Sequence, residues 1–146
     1  MSKYKKLSHV IYKCDYHIVW VPKYRFRILK GVVKELVTAD IRVLCERKSC
    51  EVLELNIQDD HVHLVVSVPP RLSISKLMGT LKGKIAIKLF RSYPNLKKKP
   101  YWGNHFWARG YFVNTVGLDE DMIRRYVVYQ EKEERKVEDQ QKRFDF

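Results

Sequence analysis

The chain has 146 residues, and 45% of them are apolar, which is enough for one folded domain with a substantial core. It has no apolar run long enough to span a membrane, no secretory signal segment and no CxxC pair among its three cysteines. These features argue against membrane proteins and disulfide-stabilised secreted proteins, so we expect a cytoplasmic protein. A formal net charge of +12 favours a polyanionic partner, of which nucleic acid is the commonest.

The first two predicted elements are a strand and a helix. Residues 12–23 are rich in β-branched and aromatic side chains and end near Pro22, a pattern that is typical of a strand. Residues 31–48 place apolar side chains three and four positions apart, which predicts an amphipathic helix.

A β-hairpin is predicted next. Residues 50–58 alternate between polar and apolar side chains, with Val52 expected on the same face as Glu54. Two aspartates link them to residues 61–68, a run of His, Val and Leu that ends before two prolines. The short polar link between two strand patterns predicts that the strands pair as a hairpin.

The second half of the chain predicts a helix, a loop, a strand and a final helix. Residues 72–93 carry one apolar stripe, and Ser73 is a plausible N-cap. Residues 94–104 are rich in Lys, Pro and Gly, which is typical of a loop. Residues 105–117 predict a strand, and residues 118–136, whose first turn contains three acids near the positive end of the helix dipole, predict a helix.

The predicted order β-α-β-β-α-β-α indicates an α+β fold of the ferredoxin-like, or split βαβ, type. Such a fold has an antiparallel sheet with helices on one face, here followed by a C-terminal helix. The other face is left for a ligand or a second subunit. We expect a single domain over residues 1–146, with its core over about residues 8–136 and a charged tail over about residues 137–146.

The positive charge is concentrated in one part of the sequence. No Asp or Glu occurs between His61 and Leu118, although Lys and Arg recur throughout that stretch. An ordinary solvated surface mixes both signs because like charges repel, so the stretch favours a nucleic-acid surface over a merely soluble one. The candidate DNA-binding residues are Arg71, Lys82, Lys84, Lys88 and Arg109.

His61 and His63 lie one residue apart in a predicted strand, so both point to the same face. Two imidazoles on one face can converge on a cation such as Zn, Mn or Fe. Two ligands do not hold a metal, so a third ligand must come from elsewhere. The alternative is that they are two polar residues on a half-buried strand.

The final predicted helix offers a partner for this pair. Met122, Tyr126 and Gln130 are four residues apart and share a helix face. An amide oxygen can bind a hard cation, and a phenol with a pKa of about 10 attacks more readily when a cation polarises its target. The set suggests attack of a tyrosine on a DNA phosphate, although an amphipathic helix with a half-buried tyrosine would show the same spacing.

With these residues identified, the chain resembles the IS200/IS605-type transposases, which are single-tyrosine members of the HUH superfamily. The likeness extends over about residues 8–136, and the motifs that carry it include DDHVHLVV and IRRYVVYQ. The segments concerned are residues 12–25, 59–66, 77–84 and 106–130.

The resemblance implies a site and a mechanism. His61 and His63 correspond to the family's histidine pair, Gln130 to its third metal ligand and Tyr126 to its nucleophile. The implied cofactor is Mg²⁺ or Mn²⁺, and the implied substrate is single-stranded DNA next to an imperfect hairpin. Cleavage would form a 5′-phosphotyrosine bond and release a 3′-OH, and a 3′-OH would later rejoin the strand.

The resemblance also implies a homodimer in the cytoplasm, associated with the nucleoid while it acts. Its active sites would be composite, with Tyr126 of one chain beside His61 and His63 of the other. Sheet joining across the first or last strand would be a natural dimer contact, although nothing in the sequence itself shows it.

Several alternatives remain open at this point. Tyr129 is a rival nucleophile, and Asp59 and Asp60 are either turn residues or acceptors that orient the histidines, while His17 has no evident partner. The function could instead be non-catalytic binding of single-stranded nucleic acid. It could also be cleavage of repeat hairpins by a domesticated relative that no longer moves an element.

Overall fold

The structure of the protein is a computed structural model, and it describes residues 4–7, 9–98, 105–116 and 136. The chain divides into two units, Met1–Thr115 and Val116–Phe146, and the architecture below is that of the first. The single domain expected over residues 1–146 stays a prediction.

The described residues form six strands, one 3-10 helix and three α-helices. They are β1 (Lys5–Leu7), β2 (Val10–Tyr12), β3 (Asp15–Trp20), a 3-10 helix (Lys23–Arg25), α1 (Gly31–Arg47), β4 (Glu51–Gln58), β5 (His61–Ser67), α2 (Ile74–Ser92), α3 (Asn95–Lys98) and β6 (Phe112–Thr115). No described helix is long and apolar enough to cross a membrane.

A four-stranded antiparallel sheet forms the centre, with the strand order β4-β5-β3-β6. This order confirms the ferredoxin-like α+β prediction, because the hairpin of β4 and β5 lies beside β3, and β6 lies on the other side of β3. Strands β1 and β2 form a separate two-stranded antiparallel sheet.

One face of the sheet, here called the inner face, is packed with apolar side chains and covered by α1 and α2. Alternate residues of β3 and β5 point into this layer because successive side chains of a strand face opposite ways. The helices contribute their apolar stripes to the same cluster. The fully buried members are Ile18, Leu29, Val37, Ile41, Cys45, Val62, Leu64, Val66, Leu77, Leu81, Ile85 and Leu89.

The N-terminus of α2 follows the sequence prediction. The Ser73 side chain accepts a hydrogen bond from the Lys76 backbone N–H at 3.1 Å, which confirms Ser73 as the N-cap.

Cys45 and Cys50 are buried and free, and burial raises their pKa values to about 12 and about 11, respectively. Both are therefore protonated thiols at neutral pH.

Three predicted boundaries were wrong. The strand predicted over residues 12–23 is interrupted, because β2 pairs with β1 whereas β3 pairs with β5 and β6. The strand predicted over residues 105–117 is reduced to β6, since Gly110 has a φ of +79° and turns the chain just before it. The predicted loop 94–104 contains α3, whose Leu96 is buried in the core.

The prediction that Val52 shares the face of Glu54 was also wrong. Val52 pairs with Val66, but the next pair joins Glu54 to Val65, so Leu53 is an extra residue in β4. This bulge moves Val52 to the inner face, where it packs against the core.

Candidate active site

The second face of the sheet, here called the outer face, carries the histidine pair. His61 and His63 both lie on it, separated by the fully buried Val62. His63 lies opposite Val19 of β3 and Asn56 of β4, and both histidines are partly exposed. The shared face that the sequence predicted is therefore confirmed, and a central strand of the sheet holds the pair.

Asp60 binds the first histidine directly. Its Oδ1 lies 2.9 Å from His61 Nδ1, while its Oδ2 accepts a hydrogen bond from Arg25 Nη2 at 3.2 Å. The hydrogen bond from His61 and the charge of Arg25 lower the pKa of the Asp60 carboxyl from its ordinary value. An ionised carboxylate only accepts hydrogen bonds, so the hydrogen of this contact belongs to Nδ1 of His61, and in the neutral ring Nε2 then carries the lone pair.

The second histidine is packed against a third. The rings of His17 and His63 meet edge to face, with their centroids 4.8 Å apart. His17 lies on β3 opposite Val65, which makes it a diagonal neighbour of His63 on the outer face. Sequence reasoning found no partner for His17, because the contact depends on the register between β3 and β5.

The turn between β4 and β5 is fastened to the loop before α1. The Leu29 backbone N–H donates to the Asp59 carbonyl at 3.0 Å, and Lys30 Nζ lies 3.7 Å from Asp59 Oδ2. Both alternatives considered for the two aspartates therefore have a part: each is a turn residue, and Asp60 also orients a histidine. Asp59 pairs with Lys30 instead.

The histidine pair fits part of a metal site. His61 Nε2 is available because Asp60 occupies Nδ1, and imidazole nitrogen suits first-row divalent ions. Within the part of the chain that the structure describes, no cluster of three or more His, Cys, Asp or Glu side chains could hold a metal. A metal would therefore need a further ligand. Gln130, the predicted third ligand, lies outside the described residues, as do Tyr126 and its rival Tyr129.

Lys82 has a structural position. Its Nζ donates to the carbonyl oxygens of Ala108 and Gly110, at 2.8 Å and 2.9 Å. Partial burial lowers the pKa of this ammonium group from its ordinary value. Lys82 thus fastens the loop that leads into β6, and its predicted contact with DNA stays a prediction.

Lys84 and Lys88 line a groove between α1 and α2, on the side of the sheet away from the histidines. The groove encloses about 570 Å³ and is also lined by Arg47 and Arg91. Lys88 Nζ lies 2.9 Å from Oδ1 of Asp40, the one acid among the residues that line it in the described part of the chain. The sequence analysis did not single out Arg47 and Arg91. Arg91 lies two turns after Lys84 on the same face of α2, whereas only the packing of α1 against α2 brings Arg47 near Lys84.

The last two candidate cations lie on other segments. Arg71 is exposed in the turn before α2, and Arg109 is exposed in the loop before β6. Neither lines the groove between the helices.

Comparison with known proteins identifies the family of the chain. Residues 10–130 match the family model for IS200-like transposases. The chain belongs to this family. The resemblance that the histidine and tyrosine motifs indicated is therefore confirmed, and the chain is a transposase of the insertion-sequence type, a class of DNA-cleaving enzymes.

Individual relatives agree with the family match. The transposase of insertion element IS200 from Salmonella typhimurium is 39% identical over 135 residues, which cover 92% of this chain and 88% of that protein. The ISDra2 transposase TnpA from Deinococcus radiodurans is 33% identical over 131 residues, which cover 89% of this chain and 93% of that protein.

Solved structures show the same fold. The crystal structure of a transposase from Deinococcus radiodurans R1 matches with a TM-score of 0.71 and 31% identity, covering 86% of this chain and 97% of that chain. The REP-associated tyrosine transposase bound to a REP hairpin matches with a TM-score of 0.56 and 13% identity, covering 86% of this chain and 68% of that chain. At 13% identity the second likeness concerns the fold alone.

Proposed function

We propose that the protein cleaves and rejoins single-stranded DNA next to hairpins through a covalent bond to Tyr126. The observation that carries this proposal is the pair His61 and His63, held on the outer face of a central strand with His61 bound by Asp60. A buried structural role does not account for two partly exposed imidazoles, one of which is fixed by a carboxylate. A phosphate-directed site does.

The proposed reaction is an exchange of phosphate esters. The Tyr126 phenol oxygen attacks the scissile phosphorus and loses its proton, while the bond from phosphorus to the 3′ oxygen breaks. The 3′ oxygen takes up a proton and leaves as a 3′-OH, and the 5′ end stays on the tyrosine. In rejoining, a 3′-OH attacks the same phosphorus and loses its proton, and the tyrosine oxygen leaves and takes up a proton. One ester is exchanged for another in each step, so no nucleotide cofactor is needed.

His61, His63 and Gln130 would hold a divalent ion, which we propose to be Mg²⁺ or Mn²⁺. When bound, such an ion polarises the phosphoryl oxygen and offsets the charge that develops during attack. The support from this chain is the donor set, with Nδ1 of His61 occupied by Asp60 so that Nε2 is the ring nitrogen left for an ion.

The groove between α1 and α2 is the proposed surface for the DNA backbone outside the cleavage site. Arg47, Lys84 and Arg91 are exposed there, and Lys88 is the cation that the acid Asp40 partly neutralises. Cations along a groove neutralise successive phosphates and release counterions, so binding should weaken as salt rises.

We further propose a homodimer with composite sites, with Tyr126 of one chain beside His61 and His63 of the other. The support is the character of β6, an edge strand among the described strands. Its apolar residues Phe112 and Val113 are exposed, and Tyr111 precedes them. An exposed apolar edge is open to pairing with another strand. The expected location is the cytoplasm, and the nucleoid during action.

Intact-protein mass spectrometry tests the covalent step. The wild type is incubated with hairpin-bearing single-stranded oligonucleotides from the gene's own flanks, with and without Mg²⁺ or Mn²⁺. We expect a metal-dependent oligonucleotide adduct that maps to Tyr126. Tyr126→Phe and His61→Ala should form none, whereas Tyr129→Phe, which alters the neighbouring phenol, should still form it.

Three outcomes would redirect the proposal. Tight binding of the oligonucleotides with no adduct would favour a non-catalytic binder of single-stranded nucleic acid. An adduct on repeat hairpins from elsewhere in the genome, with none on the gene's own flanks, would favour a domesticated nuclease. An adduct that maps to Tyr129 would move the nucleophile by three residues.

A further inference from the structure

The carboxylate of Asp60 and the guanidinium of Arg25 form a connected pair beside His61, and no sequence motif predicts the contact between them. We propose that Asp60 and Arg25 are positioning residues that hold the His61 ring in one tautomer, with Nδ1 protonated and Nε2 free to bind the divalent ion. This inference rests on the proposed function, because it assigns the support of one of its metal ligands.

The contacts form a continuous chain of three side chains. His61 Nδ1 lies 2.9 Å from Asp60 Oδ1, and Arg25 Nη2 donates to Asp60 Oδ2 at 3.2 Å. Each oxygen of the carboxylate thus has its own partner, so rotation of the carboxylate would break both contacts. A carboxylate held in this way fixes both the ring orientation and the protonated nitrogen of a ligating histidine.

The backbone around Arg25 is strained in a way that suits this role. Tyr24 and Arg25 have φ values of 58° and 54°, in the left-handed region that non-glycine residues rarely adopt. The loop is fastened on its other side, where the Lys23 N–H donates to the Phe106 carbonyl at 2.9 Å. Strained backbone that surrounding contacts maintain is concentrated at functional sites, where it serves pre-organisation.

Asp59 gives the comparison that separates this role from ordinary turn chemistry. It precedes Asp60 and carries the same charge, but its carboxylate pairs with Lys30 at 3.7 Å. Of these two acids, Asp60 is the one that bonds to the ring of His61. Two adjacent acids in one turn therefore have different partners, and a substitution at each site can be compared directly.

Nitrogen NMR on metal-free, DNA-free protein tests the tautomer. The histidines are labelled with ¹⁵N, the spectra are recorded where the rings are neutral, and the His61 signals are identified by their loss in His61→Ala. We expect a protonated Nδ1 and an unprotonated Nε2 in the wild type and in Asp59→Asn. In Asp60→Asn the amide can donate to Nδ1, so we expect the other tautomer to become populated.

Metal binding gives a second readout on the same variants. Titration with Mn²⁺ should show Kd raised by about 10–100-fold in Asp60→Asn, the usual effect of removing an outer-shell partner of a ligating histidine. Asp59→Asn should bind as the wild type does. Arg25→Lys keeps a charge but loses the planar fork, so its Kd should lie between those of the wild type and Asp60→Asn.

The proposal is overturned if His61 keeps the same tautomer and Mn²⁺ the same Kd in Asp60→Asn, or if Asp59→Asn has an equal effect. Should Asp60→Asn fail to fold, Arg25→Lys carries the test, since the Arg25 side chain is 69% exposed and its loss removes little packing. The tautomer is measured without DNA or metal. A missing tyrosine adduct would therefore contradict the proposed reaction, but it would not affect the measured tautomer of His61.

Discussion

The two faces of β5 differ although they come from one run of seven residues. On the inner face Val62, Leu64 and Val66 are fully buried beneath α1 and α2. On the outer face His61 and His63 are partly exposed, and each has a defined polar or aromatic neighbour. The alternation of a strand therefore lets one element supply both the core and the site. The packed core on the inner face supports the geometry of the histidine site on the outer face.

The outer face is itself divided along its length. At the end that carries the histidines the side chains are partly open, but farther along β5 the outward-facing Val65 and Ser67 are buried, as is Asp15 opposite Ser67. Along β5, the accessible part of this face is therefore the end that carries the histidines. A core residue and a site residue in the same strand should respond to mutation in separate ways, and the following variants test that separation.

His63→Ala should give the largest effect, and only on activity. Removing a proposed metal ligand should reduce the rate of adduct formation by more than the roughly 10–100-fold that outer-shell changes cost. Stability should change by no more than about 0.5 kcal/mol, since the ring is partly exposed. Gln58→Ala, an exposed side chain opposite His61 on the same face, is the control and should keep the wild-type rate. Equal loss in both variants would mean that the face as a whole is being disturbed.

Leu64→Ala should have the opposite effect and reduce stability without abolishing activity. Truncating a fully buried leucine should reduce the free energy of unfolding by about 2–5 kcal/mol, measured by urea denaturation. The folded fraction should still form the adduct, because the cavity opens on the inner face. Ile87→Ala removes a similar side chain that is 59% exposed, and it should be close to neutral. If Leu64→Ala instead abolished the adduct in protein shown to be folded, the two faces would not be separable.

Much of this architecture can be predicted from local sequence patterns. The hairpin, α1, α2 with its Ser73 cap, and the shared face of His61 and His63 each follow from the spacing of a few neighbouring residues. Such signals need only the period of a helix or strand. The proposed nucleophile Tyr126 and ligand Gln130 also came from local spacing, but they stay predictions because they lie outside the described residues.

What the sequence could not give depends on residues that are distant along the chain. Arg25 lies 35 positions from Asp60, and Lys82 reaches carbonyls 26 and 28 positions away. The contact of His17 with His63 requires the strand register, and the bulge at Leu53 breaks an alternation that is otherwise regular. None of these follows from periodicity, since tertiary contacts decide them.

Lys82 and Lys84 lie on the same helix, α2, but have different surroundings, so substitutions at the two positions should have different effects. Lys82→Met should cost about 1–3 kcal/mol of stability, because the carbonyls of Ala108 and Gly110 lose a charged donor. Lys84→Met should leave stability unchanged and reduce the salt dependence of single-stranded DNA binding by about 0.7 in the logarithmic slope. Thermal unfolding and a salt titration measure the two. A reduced slope with unchanged stability in Lys82→Met would make Lys82 a DNA contact after all.

Ser73→Ala should have the smallest effect, and it should change only the stability of the helix layer. Its hydroxyl accepts from the Lys76 N–H, so its loss should cost about 1 kcal/mol of stability. The α2 N-terminus is on the inner side of the sheet, so adduct formation and Mn²⁺ binding should stay at wild-type values. Ser75→Ala is the matched control, because Ser75 bonds only weakly to Ser73 at 3.3 Å and the cap persists without it. A change in Mn²⁺ affinity in Ser73→Ala would show that the helix layer is coupled to the histidines through the core, since no direct contact joins Ser73 to them among the described hydrogen bonds.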